Sequence, residues 1–239
     1  MSTSNGTLYL LPVPLGDDTL AAVLPADVLS IAQRLTHFIV EAPKTARTML
    51  KLMGTPHELR SLWMQELNEH TKETELADLL APLLAGHDVG LMSEAGCPGV
   101  ADPGANLVRL AHSKGIRVAP LVGPSSILLA LMASGANGQK FRFNGYLPTT
   151  DAPRISAIRQ FEVDSRKHKQ AELFIETPYR NGALFDALLA TLAPGSQLTV
   201  ACDLTTTNEY IRTLSVASWR KTAKPDLHKR PTVFVLYAA

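Results

Sequence analysis

Cysteine is scarce in this chain: two in 239 residues, Cys97 and Cys202, far apart in sequence. That leaves no disulfide framework and fits a reducing compartment. The seven histidines show no pairing with cysteine or carboxylate at metal-ligand spacing, so no bound zinc is expected. Apolar runs of the roughly 18 residues that a membrane helix needs are absent. The start, Met1-Ser2-Thr3-Ser4-Asn5-Gly6, has neither the basic nor the apolar region of a secretory leader, so a cytoplasmic protein without membrane association is expected. No low-complexity tract occurs, and 46% hydrophobic with 19% charged residues is the composition of a soluble globular chain. Its length suits one large domain or two small ones.

Also missing is the G-x-G-x-x-G fingerprint of dinucleotide binding. Pro12-Val13-Pro14-Leu15-Gly16-Asp17 stands where a first βα loop would cradle a pyrophosphate, and its two prolines lack the N–H donors a phosphate needs. The loop therefore disfavours NAD or a nucleoside triphosphate and suits a phosphate-free ligand, or else is a turn of fixed φ. Charge of one sign is not in excess overall, at +1. It is unevenly shared: residues 1–138 hold 9 basic and 13 acidic side chains, residues 139–239 hold 14 and 9. A basic half can meet an anionic substrate such as RNA, and the same counts also describe ordinary solvated faces.

What is present is an alternation of short apolar runs with helical patterns. Strands are expected at Thr7-Leu8-Tyr9-Leu10-Leu11, His37-Phe38-Ile39-Val40, 88–92 and 116–121. Between them, helices are expected after Asp17-Asp18 and Pro25, from Pro43, from about His70 to Ala85, over 105–114 and from Ser125 to Ala133, with a shorter apolar segment from Leu59 to Met64. This order implies βαβ units and a mostly parallel sheet. Beyond Gly135-Ala136-Asn137-Gly138 come strands within 141–147, 173–175, 198–201, 209–216 and 233–237, with fewer helices, notably one at 183–192. That favours a mixed or antiparallel sheet. The fold class is thus α/β in two domains, 1–122 and 123–239, with a break within 122–138 and a ligand cleft between them.

Residues 93–104, Ser-Glu-Ala-Gly-Cys-Pro-Gly-Val-Ala-Asp-Pro-Gly, spend three glycines, two prolines and two carboxylates after a buried strand. Loops at the carboxyl ends of parallel strands are where open α/β sheets bind ligands. Glu94 and Asp102 would suit an adenosine-bearing cation, although Asp102 also stands where it could cap the following helix. Cys97 reads as a small loop residue. Gly123-Pro124-Ser125-Ser126 repeats the arrangement one strand later, as helix cap or ligand holder. Glu176-Thr177-Pro178-Tyr179-Arg180 sets a carboxylate, an aromatic and a guanidinium at a further strand end, where an exposed salt bridge would explain the charged pair.

Taken in order, these loops resemble the tetrapyrrole methylase superfamily, and within it the ribosomal RNA small subunit methyltransferase I family. The resemblance is carried by Leu8 to Gly16, Ser93-Glu94-Ala95-Gly96-Cys97-Pro98, Asp102-Pro103-Gly104, Pro120 to Ser126, Ala133-Ser134-Gly135, Phe143 to Pro148 and Glu176 to Arg180. It implies two α/β domains, S-adenosylmethionine as methyl donor, a cytidine 2′-hydroxyl of 16S ribosomal RNA as acceptor, and a homodimer. The pattern departs at Glu41-Ala42-Pro43-Lys44, where the family has acidic-Asp-Thr-Arg, and at Leu67-Asn68-Glu69, where it has His-Asn-Glu. A basic segment is thinned at Thr149 to Arg154, and the chain stops after strand 233–237, short of the family's extra C-terminal segment.

The resemblance implies donor contacts from Pro14, Leu15, Glu94, Gly96, Cys97, Ser125 and Ser126, with Glu176 and Tyr179 from the second half. Glu41, Lys44, Asn68 and Glu69 are the candidate catalytic groups, because a base would help deprotonate a hydroxyl. Two alternatives stand beside RNA methylation: a small-molecule acceptor such as a tetrapyrrole, or a donor-binding protein without turnover.

Overall fold

Short apolar runs become strands wherever a following helix can cover them, and the chain does this twice. A computed structural model describes residues 4–16 and 19–238 and divides into two compact units, Met1–Ser125 and Ser126–Ala239.

In the first unit, β1 (Thr7–Leu10), β2 (His37–Val40), β3 (Trp63–Glu66), β4 (Val89–Met92) and β5 (Arg117–Pro120) form one sheet in the order β3-β2-β4-β1-β5. Every pairing is parallel. β4 lies at its centre and is buried along its whole length, which is why it reads as a continuous apolar run. A methyl group on Gly90 would stand 3.0 Å from Phe38 and 3.1 Å from Leu35, so the absence of a side chain there lets the strand and its cover pack closely. The connections are α1 (Leu20–Val23), α2 (Ala26–Arg34), α3 (Pro43–Leu52), α4 (Leu76–Leu79), α5 (Ala81–Leu84) and α6 (Ala105–Ser113). From β1 the chain runs past β4 to β2; from β4 it runs past β1 to β5. The loops after these two adjacent strands therefore leave in opposite directions along the sheet. Such a switch point opens a crevice at the strands' carboxyl ends.

In the second unit, α7 (Ser126–Ser134), β6 (Phe141–Tyr146), α8 (Asp151–His168), β7 (Ala171–Ile175), α9 (Asn181–Thr191), β8 (Gln197–Cys202), β9 (Tyr210–Ser215), α10 (Val216–Trp219) and β10 (Thr232–Tyr237) follow in order. The sheet runs β6-β7-β10-β8-β9. β6 and β7 are parallel and the other three pairings antiparallel, which gives the expected mixed sheet. Phe174, Phe185, Trp219 and Phe234 fill its core. Glu172 is fully buried on β7 but satisfied, accepting from Arg142 Nε at 3.0 Å, Asn144 Nδ2 at 2.8 Å and Gln170 Nε2 at 2.6 Å.

Several expectations need correction. The single helix expected over His70–Ala85 is instead a 3-10 turn (Glu73–Glu75) followed by α4 and α5. Pro82 has no N–H to continue the ladder from Asp78, so the helix breaks just before it. The Leu59–Met64 segment ends in edge strand β3. The second half is richer in helix than expected: α8, 18 residues long, gave no apolar signal because only Ile158 and Ser165 are buried in it. Pro153 is tolerated in its first turn, where its missing N–H has no intrahelical partner to lose. Asp17 and Asp18, read as the start of a helix, lie outside the described residues.

Phe234 is fully buried and stacks on Phe174 at 5.8 Å between ring centroids. Phe234→Ala is expected to lower unfolding stability by about 3–5 kcal/mol, as core phenylalanine truncations do. Urea denaturation monitored by the buried Trp219 checks this, and a loss below about 1 kcal/mol would contradict the assigned core.

Candidate functional site

The loops after β1, β4 and β5 converge at the carboxyl end of the first sheet and are braced against one another. Val13 and Gly96 exchange both backbone hydrogen bonds, at 2.8 and 2.9 Å, as an isolated antiparallel bridge. Cys97 donates its thiol to the Pro124 carbonyl at 3.3 Å. A methyl group on Gly123 would fall 2.3 Å from Pro12 Cβ, so only glycine lets these two loops touch. Gly96 adopts φ 75°, Gly99 76° and Gly104 134°, left-handed values that a side chain would strain. The glycines and prolines of this segment thus hold three loops in register.

Three carboxylates gather on this frame. Glu41 follows β2, and its Oε2 accepts from the Glu94 N–H at 3.0 Å. Glu94 Oε1 in turn accepts from the Thr45 hydroxyl, in the first turn of α3, at 2.9 Å. Asp102, at the far end of the same loop, has its pKa raised to about 6, first by burial and then by Glu41, with a smaller push from Glu94; Ser93 opposes the rise with a hydrogen bond. Burial and Asp102 also raise the pKa of Cys97, which keeps it a neutral thiol rather than a nucleophile. Asp102 does not cap α6: Gly104 occupies that position without a side-chain bond.

The structure brings Glu41, Glu94, Gly96 and Cys97 together, with Leu15 Cδ2 3.5 Å from where a Gly96 side chain would begin. Pro14 is buried and Ser125 half-buried, and Ser126 opens α7. Lys44 is exposed in the first turn of α3 and, among the described residues, forms no ion pair. Glu69 is largely exposed and lies 3.6 Å from His70, while Asn68 is engaged in its own turn, accepting from the His70 N–H at 2.8 Å. No described hydrogen bond joins either to the carboxylate group. In the second unit, Glu176 is buried rather than in an exposed bridge, accepting from Arg180 at 2.6 Å and from the Thr177 N–H at 2.7 Å. Tyr179 is exposed, with Lys229 Nζ 5.7 Å from its ring centre. Sequence reasoning passed over Thr45 as a ligand of Glu94; its place two residues after a helix-opening proline was the available signal.

The two-sheet architecture recurs in a solved structure. It matches a crystal structure of the methyltransferase CobJ with a TM-score of 0.65 at 19% identity, over 98% of this chain and 95% of that one. No protein-family model matches the chain. Among curated proteins, ribosomal RNA small subunit methyltransferase I of Escherichia coli O157:H7 is 30% identical over 233 residues, 98% of this chain and 77% of its own. The protein of the same name from Neisseria meningitidis serogroup B is 30% identical over 241 residues, 100% of this chain and 78% of its own. The chain belongs to the ribosomal RNA small subunit methyltransferase I family, and is a methyltransferase.

The raised pKa of Asp102 has a stability consequence. The folded state holds this proton more tightly than the unfolded chain, so stability falls as pH rises from about 4 to about 6 and stays lowered above that. Asp102→Asn is therefore expected to be more stable than wild type at pH 7.5, with the gap closing toward pH 4. Denaturation midpoints across that range check this; a gap independent of pH would contradict the assignment.

Proposed function

We propose that this protein transfers the methyl group of S-adenosylmethionine to a ribose 2′-hydroxyl of small-subunit ribosomal RNA. The single observation that carries the donor half is the gathering of Glu41, Glu94 and Asp102 on a braced loop frame at the switch point of the first sheet. The relatives' names support the acceptor half.

The residues present fit a cationic, phosphate-free nucleoside. Pro12 and Pro14 have no N–H, those of Val13 and Gly96 are spent on each other, and that of Glu94 is spent on Glu41. A phosphate would find few donors here, whereas a cation finds three carboxylates within one loop cluster. When bound, S-adenosylmethionine supplies an electrophilic methyl on a positively charged sulfur, which needs little further activation. We assign Pro14, Leu15, Gly96, Cys97, Ser125 and Ser126 to holding the nucleoside and Glu94 and Asp102 to its charge. The neutral Cys97 thiol, tied to Pro124, does not compete for the methyl. Glu41 accepts the proton of the attacking hydroxyl, with Lys44 and Glu69 as the remaining candidates for that task. Holding donor and acceptor in line supplies most of the acceleration.

Two finer readings accompany this one. Ribosomal RNA as acceptor sets the work in the cytoplasm, and among the described residues no helix is long and apolar enough to cross a membrane. We also infer a homodimer, supported by exposed Leu128 and Met132 one turn apart on α7. Sedimentation at micromolar concentration is expected to give a dimer, and Met132→Asp a monomer; a wild-type monomer would remove this reading.

Because the sulfonium charge disappears on transfer, the carboxylates favour donor over product. Asp102→Asn is expected to weaken S-adenosylmethionine binding about tenfold, roughly 1.4 kcal/mol, and S-adenosylhomocysteine binding far less. The loss should fall on KM more than on kcat, because such a contact acts on the bound ground state. Calorimetry with both ligands, paired with tritiated-methyl transfer to small ribosomal subunits and nucleoside analysis for 2′-O-methylation, checks the proposal. Equal losses for the two ligands would contradict the charge argument, and absence of label in any RNA fraction would contradict the acceptor.

A further inference from the structure

We propose that the outward face of α8 binds the phosphate backbone of the RNA acceptor; this rests on the RNA-methylation reading above. The helix sorts its charges. Each of its three acidic residues is satisfied within the protein. Asp151 pairs with Arg154. Glu162 accepts from the Ala193 N–H at 2.8 Å and from the Ser196 hydroxyl. Asp164 accepts from Arg142 at 2.8 Å and from Gln160 at 2.7 Å, and these contacts hold its carboxyl below the usual range. Arg159, Arg166 and Lys167, by contrast, are exposed and form no ion pair with a described residue. With Asp151 and Asp164 paired to arginines and Glu162 bonded to the segment between α9 and β8, the exposed and unpaired charge of this helix is positive.

These cations share one face. Ala152, Ile155, Ser156, Arg159, Gln160 and Val163 follow the spacing of a single helical stripe and line a shallow groove of about 520 Å³. Arg166 and Lys167 continue the stripe one turn further, opposite the buried Ile158 and Ser165. Complementing the helix dipole would account for cations in the last turn only; Arg159 lies near the middle of an 18-residue helix. The unit that carries α8 holds all 14 basic residues of the basic half against 9 acidic ones, whereas the first unit, with its carboxylate loops, is net acidic. A partner drawn to α8 is thus a polyanion. A row of cations along one helix face, flanked by apolar and amide side chains, matches a sugar-phosphate strand, whose charges also repeat along a line.

The test is a triple charge reversal, R159E/R166E/K167E, in the full chain. Affinity for 16S ribosomal RNA is read by filter binding across a salt series, beside calorimetry with S-adenosylhomocysteine. The expected result is a loss of RNA affinity of tenfold or more, with the slope of log affinity against log salt shallower by about 2 to 3, since each lost phosphate contact removes about 0.7 to 0.9. Affinity for S-adenosylhomocysteine should stay within twofold of wild type, which shows that the fold is intact. Arg159→Lys with Arg166→Lys should keep RNA binding, and the matched reversal of three exposed lysines outside α8, K51E/K114E/K221E, should cost less than threefold. A smaller loss from the α8 reversal, an equal loss from the matched reversal, or equally tight α8-dependent binding to phosphatidylglycerol vesicles would overturn the proposal. Failure of the wild-type protein to bind S-adenosylhomocysteine would instead sink the donor-site reading. A wild type that binds S-adenosylhomocysteine but no RNA would sink the α8 surface.

Discussion

Two backbone hydrogen bonds between Val13 and Gly96 hold the amino-terminal site together. They join the loop after β1 to the loop after β4, the two segments that leave adjacent strands in opposite directions. Without a link of this kind the switch-point crevice would be lined by two independent, glycine- and proline-rich loops. With it, the close contact of Gly123 with Pro12 and the bond from Cys97 to Pro124 add the loop after β5 to the same frame. Conformational freedom given up by three left-handed glycines is the cost of this rigidity.

On that frame the protein concentrates like charge, which costs stability unless something repays it. Glu41 and Glu94 are partly satisfied by a backbone N–H and a threonine hydroxyl, but Asp102 is left with burial and two neighbouring carboxylates pressing its proton on. Unfavourable electrostatics at the carboxyl end of a parallel sheet are a mark of a binding site rather than of a scaffold. A cationic ligand relieves the repulsion. A methyl donor whose sulfur carries the charge before transfer and loses it afterwards would relieve it in a way that changes with the reaction.

Much of this was legible in the amino-acid sequence, for identifiable reasons. Strand β4 announced itself because a parallel strand buried on both faces must be apolar throughout, and β1 and β2 because their short runs are largely apolar. The loop at 93–104 stood out because glycine, proline and carboxylate crowd together there. Helix α8 did not show: it buries two side chains in 18, so its period left no apolar trace, and its exposed cations were hidden among counts for the whole half. Spacing leaves an exposed bridge open as one reading of Glu176 and Arg180, because it does not reveal that the carboxylate is buried. The tie between Glu41 and Glu94 spans 53 residues and depends on β2 and β4 being neighbours, which no local pattern records. Sequence named the loops; the sheet order joined them.

The most direct test of the central claim is a crystal structure grown with S-adenosylhomocysteine. The account predicts density for the nucleoside against the loops Pro12–Gly16 and Ser93–Gly104, with its sulfur on the side of Glu94 and Asp102. Density elsewhere on the chain, or none at millimolar ligand with those loops ordered, would contradict it.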